Sequence, residues 1–424
     1  MPQLLPLRGI RYSDAAGALN DLLAPPYDVI SPRQEAELRA RSPYNAIHLE
    51  LAEGGEDRYE TVARHLQEWL DAGVLKRDED HELYVYEQRF TYEGKEYARK
   101  ALLAGVEAVS WEDGAVRPHE YTMSGPKEDR LKLLKATRTQ FSPAFMIARD
   151  RAGQLRQFLD EVMGGREPDA EATTIDGEYH RLWVVEADRT ALRTLAPLLP
   201  ETFYIADGHH RYETAVNYKR YLLEQEGELP RDHPGRFTMT AIVAADDPGL
   251  VIRPIYRWVP RQVPQEWQER LGRVFGIAEL PNSEESALRR ALEASPNTFV
   301  ALGLEPGKAH QLTPHEGFDF GSLPGNANSP EWAAVAPNLL RLAVLNPLWE
   351  ISDADLAAGV VEYLHDVPEV EEKMAADGGV AFLLNPVRVE DVLALADKGE
   401  RMPQKSTFFH PKVGTGLVFN PLYP

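Results

Sequence analysis

The chain has 424 residues and no cysteine, with 43% hydrophobic and 27% charged residues. This composition is typical of a globular protein of two or three domains, and it excludes a disulfide scaffold, a thiolate metal site and a cysteine nucleophile. Asp and Glu number 67 against 46 Lys and Arg, which gives a formal net charge of -21. We expect no binding to nucleic acid or to an anionic membrane, because both require a basic surface.

The beginning of the chain carries Arg8 and lacks the sustained apolar segment of a signal peptide. No apolar run approaches the ~18 residues that a membrane span needs. The absence of cysteine fits the reducing cytosol. We therefore expect a soluble cytoplasmic protein, while no pattern in the sequence indicates an oligomeric state.

Hydrophobic periodicity predicts helices and strands in alternation along the chain. Segments Glu82–Gly94 and Tyr97–Val109 alternate in polarity and are expected to pair as a hairpin through a turn at Glu93 and Gly94. In the middle of the chain an apolar strand at Thr202–Ala206 precedes helical spacing. Further predicted elements are the helices Pro32–Ala40, Asp57–Ala72, Arg189–Pro200 and Asp353–Asp366, and the strands His180–Ala187, Thr238–Ala245, Gly249–Val259 and Ala381–Pro386.

Strands mixed with helices in this way predict an α+β fold, in which helices surround a mixed sheet. The composition shifts toward Glu, Pro and Ala near residue 260, which suggests a boundary there. We predict an N-terminal α+β segment at residues 1–110, a core at 111–260, and a C-terminal α+β segment at 261–424 that returns to the site.

The strongest site candidate is the segment Tyr204–Ala215, YIADGHHRYETA. An apolar strand ends at Ala206, a polar turn follows, and a helix begins near His209. The N-terminus of a helix directs backbone N–H groups and a positive dipole end at a ligand, which favours an anion. Gly208 in the turn allows the backbone to approach that ligand closely.

Side chains at the same turn add to the case for an anion site. Arg211 offers a planar guanidinium suited to phosphate. His209 and His210 supply donors, and one of them can act as a base. The alternative is that Asp207 only caps the helix and the histidines decorate its first turn. The combination of two histidines, an arginine and a glycine favours the phosphate site.

Three other segments are dense in polar groups. Pro118–Arg130 combines acid–base and anion-binding residues, although a solvated loop explains it equally well. Met402–Lys412 contains a Lys-Ser-Thr run without the glycines of a P-loop, so it predicts either a phosphate clamp or a strand with a polar flank. Ala24–Ser31 holds a carboxylate in a proline-rich loop, where most aspartates bond only their own backbone.

Metal-binding patterns are poor in this sequence. No HExxH motif is present, and adjacent histidines on one helical turn point apart, so they cannot readily share one ion. A Mg²⁺ ion held by a carboxylate together with substrate phosphates is easier to accommodate.

The four segments APPYDVIS, PHEYTMSGPKEDR, ADGHHRYETA and MPQKSTFFHPK occur in this order in a conserved prokaryotic family, domain of unknown function number 1015. The chain is identified as a member of that family over nearly its whole length. It departs from the family at Pro254–Arg257, where members often carry a histidine before the arginine. Arg257 itself is kept.

The DGHHR turn also resembles the nucleotide-phosphate turn of the ParB/sulfiredoxin superfamily, which includes partition CTPases, sulfiredoxins and free-serine kinases. The resemblance implies a ParB/sulfiredoxin-like core, with Asp207 near a metal or a hydroxyl group. Sulfiredoxin chemistry needs a cysteine in this turn, and partition proteins need a DNA-binding region that the charge disfavours. Among these three activities the free-serine kinase is left.

The leading hypothesis is therefore a small-molecule kinase that uses ATP or ADP with Mg²⁺ and a hydroxylated acceptor, with free L-serine as the candidate acceptor. The rival is a non-catalytic sensor of nucleotides or phosphometabolites, and a metal-dependent hydrolase is a third possibility. We expect all four segments to meet in one pocket. The predicted catalytic residues are Asp28, Glu120 and His209. The predicted substrate-binding residues are Tyr27, His119 and Arg257. The predicted phosphate- or nucleotide-binding residues are Asp207, Gly208, His209, His210, Arg211, Lys127, Arg130, Lys405, Ser406 and Thr407, with Asp207 also the predicted Mg²⁺ ligand.

Overall fold

The computed structural model describes residues 3–122, 124–187, 200–281 and 283–423. The chain divides into two compact units. The first comprises residues 1–118, 122–251 and 411–424, and the second comprises residues 119–121 and 252–410. The predicted boundary at residue 110 lies inside the first unit, and the boundary at residue 260 lies shortly after the chain enters the second. The three-segment division stays a prediction.

The first unit is built on a mixed sheet. Its described strands run in the spatial order Val116–Arg117, Phe203–Asp207, Ala144–Ala148, Phe237–Ala244, Lys95–Glu107, Glu82–Tyr92, Tyr179–Glu186 and Ala170–Thr173, with Leu4–Leu5 also paired to Lys95–Glu107. Two of these pairings are parallel, namely Phe203–Asp207 with Val116–Arg117 and Phe237–Ala244 with Ala144–Ala148. The remaining pairings are antiparallel. The predicted α+β class with a mixed sheet is confirmed.

The predicted hairpin is present at the centre of this sheet. Tyr92 pairs with Lys95 across the two-residue turn, and Glu93 and Gly94 have φ values of 51° and 74°. Positive φ at both central residues gives the backbone twist that matches the twist of paired strands. Leu83, Leu102 and Trp183 from neighbouring strands belong to one buried core.

Helices and short strand pairs complete the first unit. The helix His209–Glu226 directs Tyr212, Ala215 and Tyr218 inward, which fixes its first turn against the end of the strand Phe203–Asp207. The other helices are Pro32–Arg41, Ile47–Glu50, Arg58–Asp71, Ser124–Thr137 and Gln154–Gly164, with 3-10 turns at Asp14–Ala16, Leu19–Asp21, Tyr27–Val29, Trp111–Asp113 and Pro234–Arg236. The short pairs are Ile10–Tyr12 with Leu75–Arg77 and Thr139–Gln140 with Asn420–Pro421.

The second unit contains an antiparallel sheet. Its described strands lie in the order Phe275–Glu279, Ala309–Pro314, Phe299–Leu302, Val380–Leu384, Tyr256–Val259 and Glu362–Leu364. Strands Val251–Arg253 and Phe408–His410 form a separate pair. The helices are Trp267–Gly272, Glu285–Leu292, Pro330–Ala334, Ala336–Leu340, Asn346–Trp349, Asp353–Ala357, Val367–Asp377 and Val389–Asp397, with a π-helical turn at Arg341–Leu345 and a 3-10 turn at Phe320–Ser322.

Two sequence-based elements need correction, and one lies outside the described residues. The predicted helix Asp353–Asp366 ends at Ala357, because Gly359 adopts a φ of 79° and the β-branched residues after it lead into the strand Glu362–Leu364. The predicted strand Gly249–Val259 is interrupted after Arg253, where Pro254 has no N–H to donate to a ladder. Most of the predicted helix Arg189–Pro200 falls on residues 188–199, outside the described residues.

Candidate functional site

The strand-to-helix turn predicted from DGHHR is present in the first unit. The strand ends at Asp207, Gly208 has φ 81° and ψ 31°, and an 18-residue helix begins at His209. Gly208 supplies no side-chain cap, and the first helical turn carries no acidic residue. The first backbone N–H groups of a helix have no partner within it. The turn thus provides the positively polarised helix start that favours an anion.

The space beside Gly208 is occupied by the side chain of Arg211 from the same turn. A Cβ atom at this position would lie 2.8 Å from Nε of Arg211. The glycine is therefore needed for two reasons, its left-handed conformation and the guanidinium packed against it.

We expect Gly208→Ala to destabilise the protein more than Gly114→Ala. Both glycines are left-handed, at φ 81° and 67°, but a Cβ at Gly114 would meet nothing within 4 Å. The left-handed conformation costs an alanine about 1–2 kcal/mol at either site. The contact with Arg211 should add about 1–3 kcal/mol at Gly208 alone. Urea unfolding of the two variants measures the difference, and equal losses would show that the Arg211 contact is relieved without cost.

Asp207 is held by two cations. Its Oδ2 accepts a hydrogen bond from Nη2 of Arg211 at 2.5 Å, and its Oδ1 accepts one from Nζ of Lys412. The three side chains are only 9–13% exposed. Burial alone would raise the pKa of Asp207, but the charges of Lys412 and Arg211 lower it well below its ordinary value.

This double ion pair bears on two predicted roles. Arg211, predicted to bind phosphate, donates to Asp207 and to the carbonyl oxygen of Pro143. Asp207, predicted to bind Mg²⁺, already has two cationic partners, so the geometry does not fit it as a metal ligand. Lys412 lies at the end of the fourth motif but was absent from the predicted site residues. Its sequence separation of 205 residues from Asp207 leaves no local signal for this contact.

The two histidines of the turn differ in exposure. His209 is buried and His210 is half-buried. Burial lowers the pKa of His210, while the carboxylates of Asp28 and Glu213 oppose that shift. His210 is consequently neutral at pH 7, so one of its ring nitrogens can accept a proton.

A lysine predicted to bind phosphate faces the same helix. Nζ of Lys127 lies 2.7 Å from Oε2 of Glu213 and 3.1 Å from Oγ1 of Thr122. Glu213 also accepts hydrogen bonds from Trp111 and Thr122 at 2.9 Å each. Burial alone would raise the pKa of Glu213, but these donors, with Lys127 foremost, lower it.

The proline-rich loop contributes Tyr27 and Asp28 in a short 3-10 turn. The guanidinium of Arg130 lies 4.3 Å from the centre of the Tyr27 ring and donates to the carbonyl oxygen of Glu50 at 2.7 Å. Burial raises the pKa of Tyr27, and the charge of Asp28 adds to the increase, so its hydroxyl group keeps its proton. Burial would lower the pKa of Arg211, but the negative charges of Asp207 and Asp28 raise it above its ordinary value.

A cavity of about 50 Å³ adjoins this group and is lined by Arg130, Arg211, Glu50 and Ser142 among others. Nε of Arg211 is buried without a hydrogen-bond partner in the described part of the chain. One ordered water needs ~10–15 Å³ measured in this way. The cavity therefore has room for a few waters next to Arg211 but not for a nucleotide.

The second unit contains the remaining predicted residues. Oε1 of Glu120 accepts hydrogen bonds from the backbone N–H groups of Ser406 and Thr407, at 3.2 and 2.9 Å, and from the Thr407 hydroxyl at 2.9 Å. Nε2 of His119 lies 2.8 Å from that hydroxyl. Arg257 donates to the carbonyl oxygen of Lys405 at 2.8 Å. We call these six residues the Lys405 cluster.

The structure thus places the predicted site residues in two groups. The first unit brings together Tyr27, Asp28, Lys127, Arg130, Asp207, Gly208, His209, His210 and Arg211, which with Lys412 we call the turn cluster. The second unit holds the Lys405 cluster. Convergence of all four motif segments on one pocket stays a prediction, as do the catalytic and binding roles.

Within the described ranges, no three His, Asp or Glu side chains gather in a way that could hold a metal ion. Of the helices that the structure describes, none combines the length and the apolar character needed to cross a membrane.

Residues 4–332 match the family described as protein of unknown function (DUF1015), and the chain belongs to that family. The family identification is therefore confirmed, and the match covers the first three of the four motifs. A search of curated proteins gave no match.

Several solved structures are similar to the chain at low sequence identity. A conserved hypothetical protein from Pyrococcus furiosus is 15% identical over 72% of this chain and 92% of its own, with a TM-score of 0.33. Free serine kinase in complex with AMP is 15% identical over 72% of this chain and 89% of its own, with a TM-score of 0.33. SbnI from Staphylococcus aureus, truncated at its C-terminus, is 12% identical over 76% and 87%, with a TM-score of 0.37. At these TM-scores the structures say nothing about what this chain binds.

Proposed function

We propose that the protein is a small-molecule phosphotransferase that binds ATP or ADP at the turn cluster. The start of the helix His209–Glu226, with its left-handed glycine and no acidic residue in its first turn, carries the proposal, because backbone N–H groups and the helix dipole together stabilise phosphate charge. Lys127 and the neutral His210 lie near this helix start and supply additional donors. Phosphoryl transfer depends mainly on such positioning and charge stabilisation.

The acceptor in this proposal is a small hydroxylated metabolite, and free L-serine is the first to test. Its hydroxyl oxygen would form the new bond to phosphorus while the bond from phosphorus to the bridging oxygen of the nucleotide breaks. The hydroxyl proton needs an acceptor, and Asp28 and His209 are the proposed candidates. Mg²⁺ accompanies ATP or ADP in this proposal, carried mainly by phosphate oxygens and water.

The second candidate is a nucleotide or phosphometabolite sensor without catalysis. The hydrogen bonds and ion pairs that already occupy the carboxylates of the site favour this sensor. Asp207 is paired with two cations, Glu213 accepts from three side chains, and Glu120 accepts three hydrogen bonds. A carboxylate engaged in this way is a poor proton acceptor, so few bases are left for catalysis.

We expect Lys127→Met to weaken ADP binding at least about tenfold, because one charge-assisted hydrogen bond contributes ~1.5–3 kcal/mol and 1.4 kcal/mol corresponds to a decade in affinity. Arg220→Met is the matched control, because Arg220 is an exposed cation on the helix His209–Glu226, where it bonds only to Asn217 among the described residues. Calorimetric titration with ATP, ADP and AMP, with and without Mg²⁺, measures the affinities.

Phosphorus NMR of the same mixtures with L-serine then separates the two candidates. Formation of a phosphate monoester supports the kinase, whereas binding without turnover on serine or other hydroxylated metabolites supports the sensor. If Lys127→Met and Arg220→Met bind ADP as the native chain does, the turn cluster is not the nucleotide site.

A further inference from the structure

Lys405 has an unusual backbone conformation for a residue with a side chain. Its φ is 59°, in the left-handed region that L-residues other than glycine seldom adopt. Such a conformation persists only where the surrounding structure imposes it, and it is enriched at functional sites. The side chain is exposed, and its ammonium group forms no hydrogen bond or ion pair with the described residues.

The two peptide groups that follow Lys405 are held by buried or half-buried charged groups. The carbonyl oxygen of Lys405 accepts from Arg257, which is 5% exposed, and the next two N–H groups donate to Glu120. A carboxylate that accepts two successive backbone N–H groups fixes the orientation of both peptide planes.

His119 completes the arrangement. The Thr407 hydroxyl donates to Glu120, so Nε2 of His119 must be the donor in its 2.8 Å contact with the same hydroxyl. His119 is fully buried, and its carbonyl oxygen accepts from the backbone N–H of Met402 at 2.7 Å. The segment 119–121 is thus bonded along the backbone of 402–407 and has little freedom of its own.

Burial lowers the pKa of Arg257 to about 10, although electrostatic interactions with Tyr363 and Glu120 oppose the shift. A buried guanidinium that donates to the carbonyl oxygens of Ile255 and Lys405 is costly to maintain. Burial of an apolar side chain of the same shape would have a lower free-energy cost. The observed arrangement therefore favours a role for Arg257 in holding the loop.

We propose that Glu120, His119 and Arg257 are positioning residues that hold Lys405 in its left-handed conformation so that its ammonium group contacts a phosphate oxyanion. The inference rests on the proposed function for the origin of that phosphate, which is a nucleotide or a phosphorylated acceptor. An ammonium group is a compact charge that suits a phosphate oxygen without needing a second bond. Glu120 therefore acts through Lys405 in this proposal and does not take the proton.

The decisive variant is Lys405→Gly. Glycine adopts positive φ without strain, so we expect the urea midpoint of unfolding to rise. The loss of the ammonium group should weaken binding of its phosphate ligand about tenfold. A variant that gains stability and loses affinity shows that the lysine is kept for binding.

Glu350→Gly is the matched control, because Glu350 is an exposed residue of the same unit with a φ of 55°. It should also raise the urea midpoint but leave the affinity unchanged. Titrations with ADP, O-phosphoserine and inorganic phosphate distinguish the source of the oxyanion, because only the ligand that Lys405 contacts loses affinity.

Glu120→Ala tests the positioning role. We expect it to weaken binding as much as Lys405→Gly does, and to cause no further loss when both changes are combined, because Glu120 acts through the lysine. Glu120→Gln keeps an oxygen that accepts both N–H groups and should restore most of the affinity. If the native chain binds these ligands and Lys405→Gly binds them equally well, this inference is wrong while the proposed function stands. If the native chain binds none of the three ligands nor ATP, the proposed function fails and this inference fails with it.

Discussion

Asp207→Asn is expected to destabilise the first unit by about 3–5 kcal/mol, the usual range when one partner of a buried ion pair is removed. The substitution keeps the shape of the side chain but leaves the charges of Arg211 and Lys412 facing each other without a carboxylate. Both cations are about nine-tenths buried, so solvent cannot replace the lost charge. Urea unfolding followed by fluorescence measures the loss.

A second change separates charge repulsion from other effects of this substitution. Lys412→Met removes one of the two cations, so the variant Asp207→Asn with Lys412→Met should regain part of the stability that Asp207→Asn loses. The interaction energy from this double-mutant cycle reports the pair directly. Additive losses would mean that Lys412 and Asp207 do not interact in solution as they do in the structure.

The pH dependence of Asp207→Asn follows from the lowered pKa of Asp207. A carboxyl group whose pKa is lower in the folded state contributes stability above its unfolded value, and that contribution disappears as the pH falls through the folded value. The difference in stability between the native chain and the variant should therefore be full at pH 6. It should shrink below the ordinary aspartate pKa of about 3.9.

Local patterns in the sequence were sufficient to predict the strand-to-helix turn at Gly208. The apolar strand, the glycine and the helical spacing after His209 all lie within a dozen residues, and the Glu93–Gly94 hairpin is equally local. The Asp207–Arg211 pair was also within reach, because a spacing of four residues brings opposite charges together at a helix start. The sequence interpretation assigned both residues to a ligand and so missed that they bind each other.

Long-range contacts had no such signal. Lys412 reaches Asp207 across 205 residues, and Glu120 reaches Thr407 across 287. Strand alternation also fails in the centre of the sheet, where both faces are covered. Arg99 is an example, because its charge suggests exposure in the pattern YARKALLAGV whereas the structure buries it to 1% exposure.

Arg99 links the central sheet to the C-terminal arm, residues 411–415. Its guanidinium donates to the Gln88 side chain and, at 2.6 Å, to the carbonyl oxygen of Pro411, and it lies 4.7 Å from the centre of the Phe145 ring. Gln88 in turn donates to the carbonyl oxygen of Lys412 at 2.9 Å. Burial lowers the pKa of Arg99, opposed by nearby negative groups. These contacts fix the backbone from which Lys412 extends to Asp207.

We therefore expect Arg99→Met to destabilise the protein by about 2–6 kcal/mol, because a buried acceptor left without a donor costs ~1–3 kcal/mol and the variant leaves two such acceptors. Arg99→Lys should not restore the loss, since a single ammonium group cannot reproduce the planar guanidinium. Arg89→Met is the control, because the Arg89 side chain on the neighbouring strand is 51% exposed, and it should change stability by less than about 0.5 kcal/mol.

Hydrogen exchange locates the effect of Arg99→Met in the chain. Backbone amides of the arm and of the Asp207 turn should exchange faster in this variant, because the arm carries Lys412. The variant that carries both Arg99→Met and Lys412→Met should lose less stability than the sum of the two single losses, since both changes release the same contact with Asp207. Full additivity, or a stability loss no larger than that of Arg89→Met, would show that Arg99 does not hold the arm in place for the ion pair at the turn.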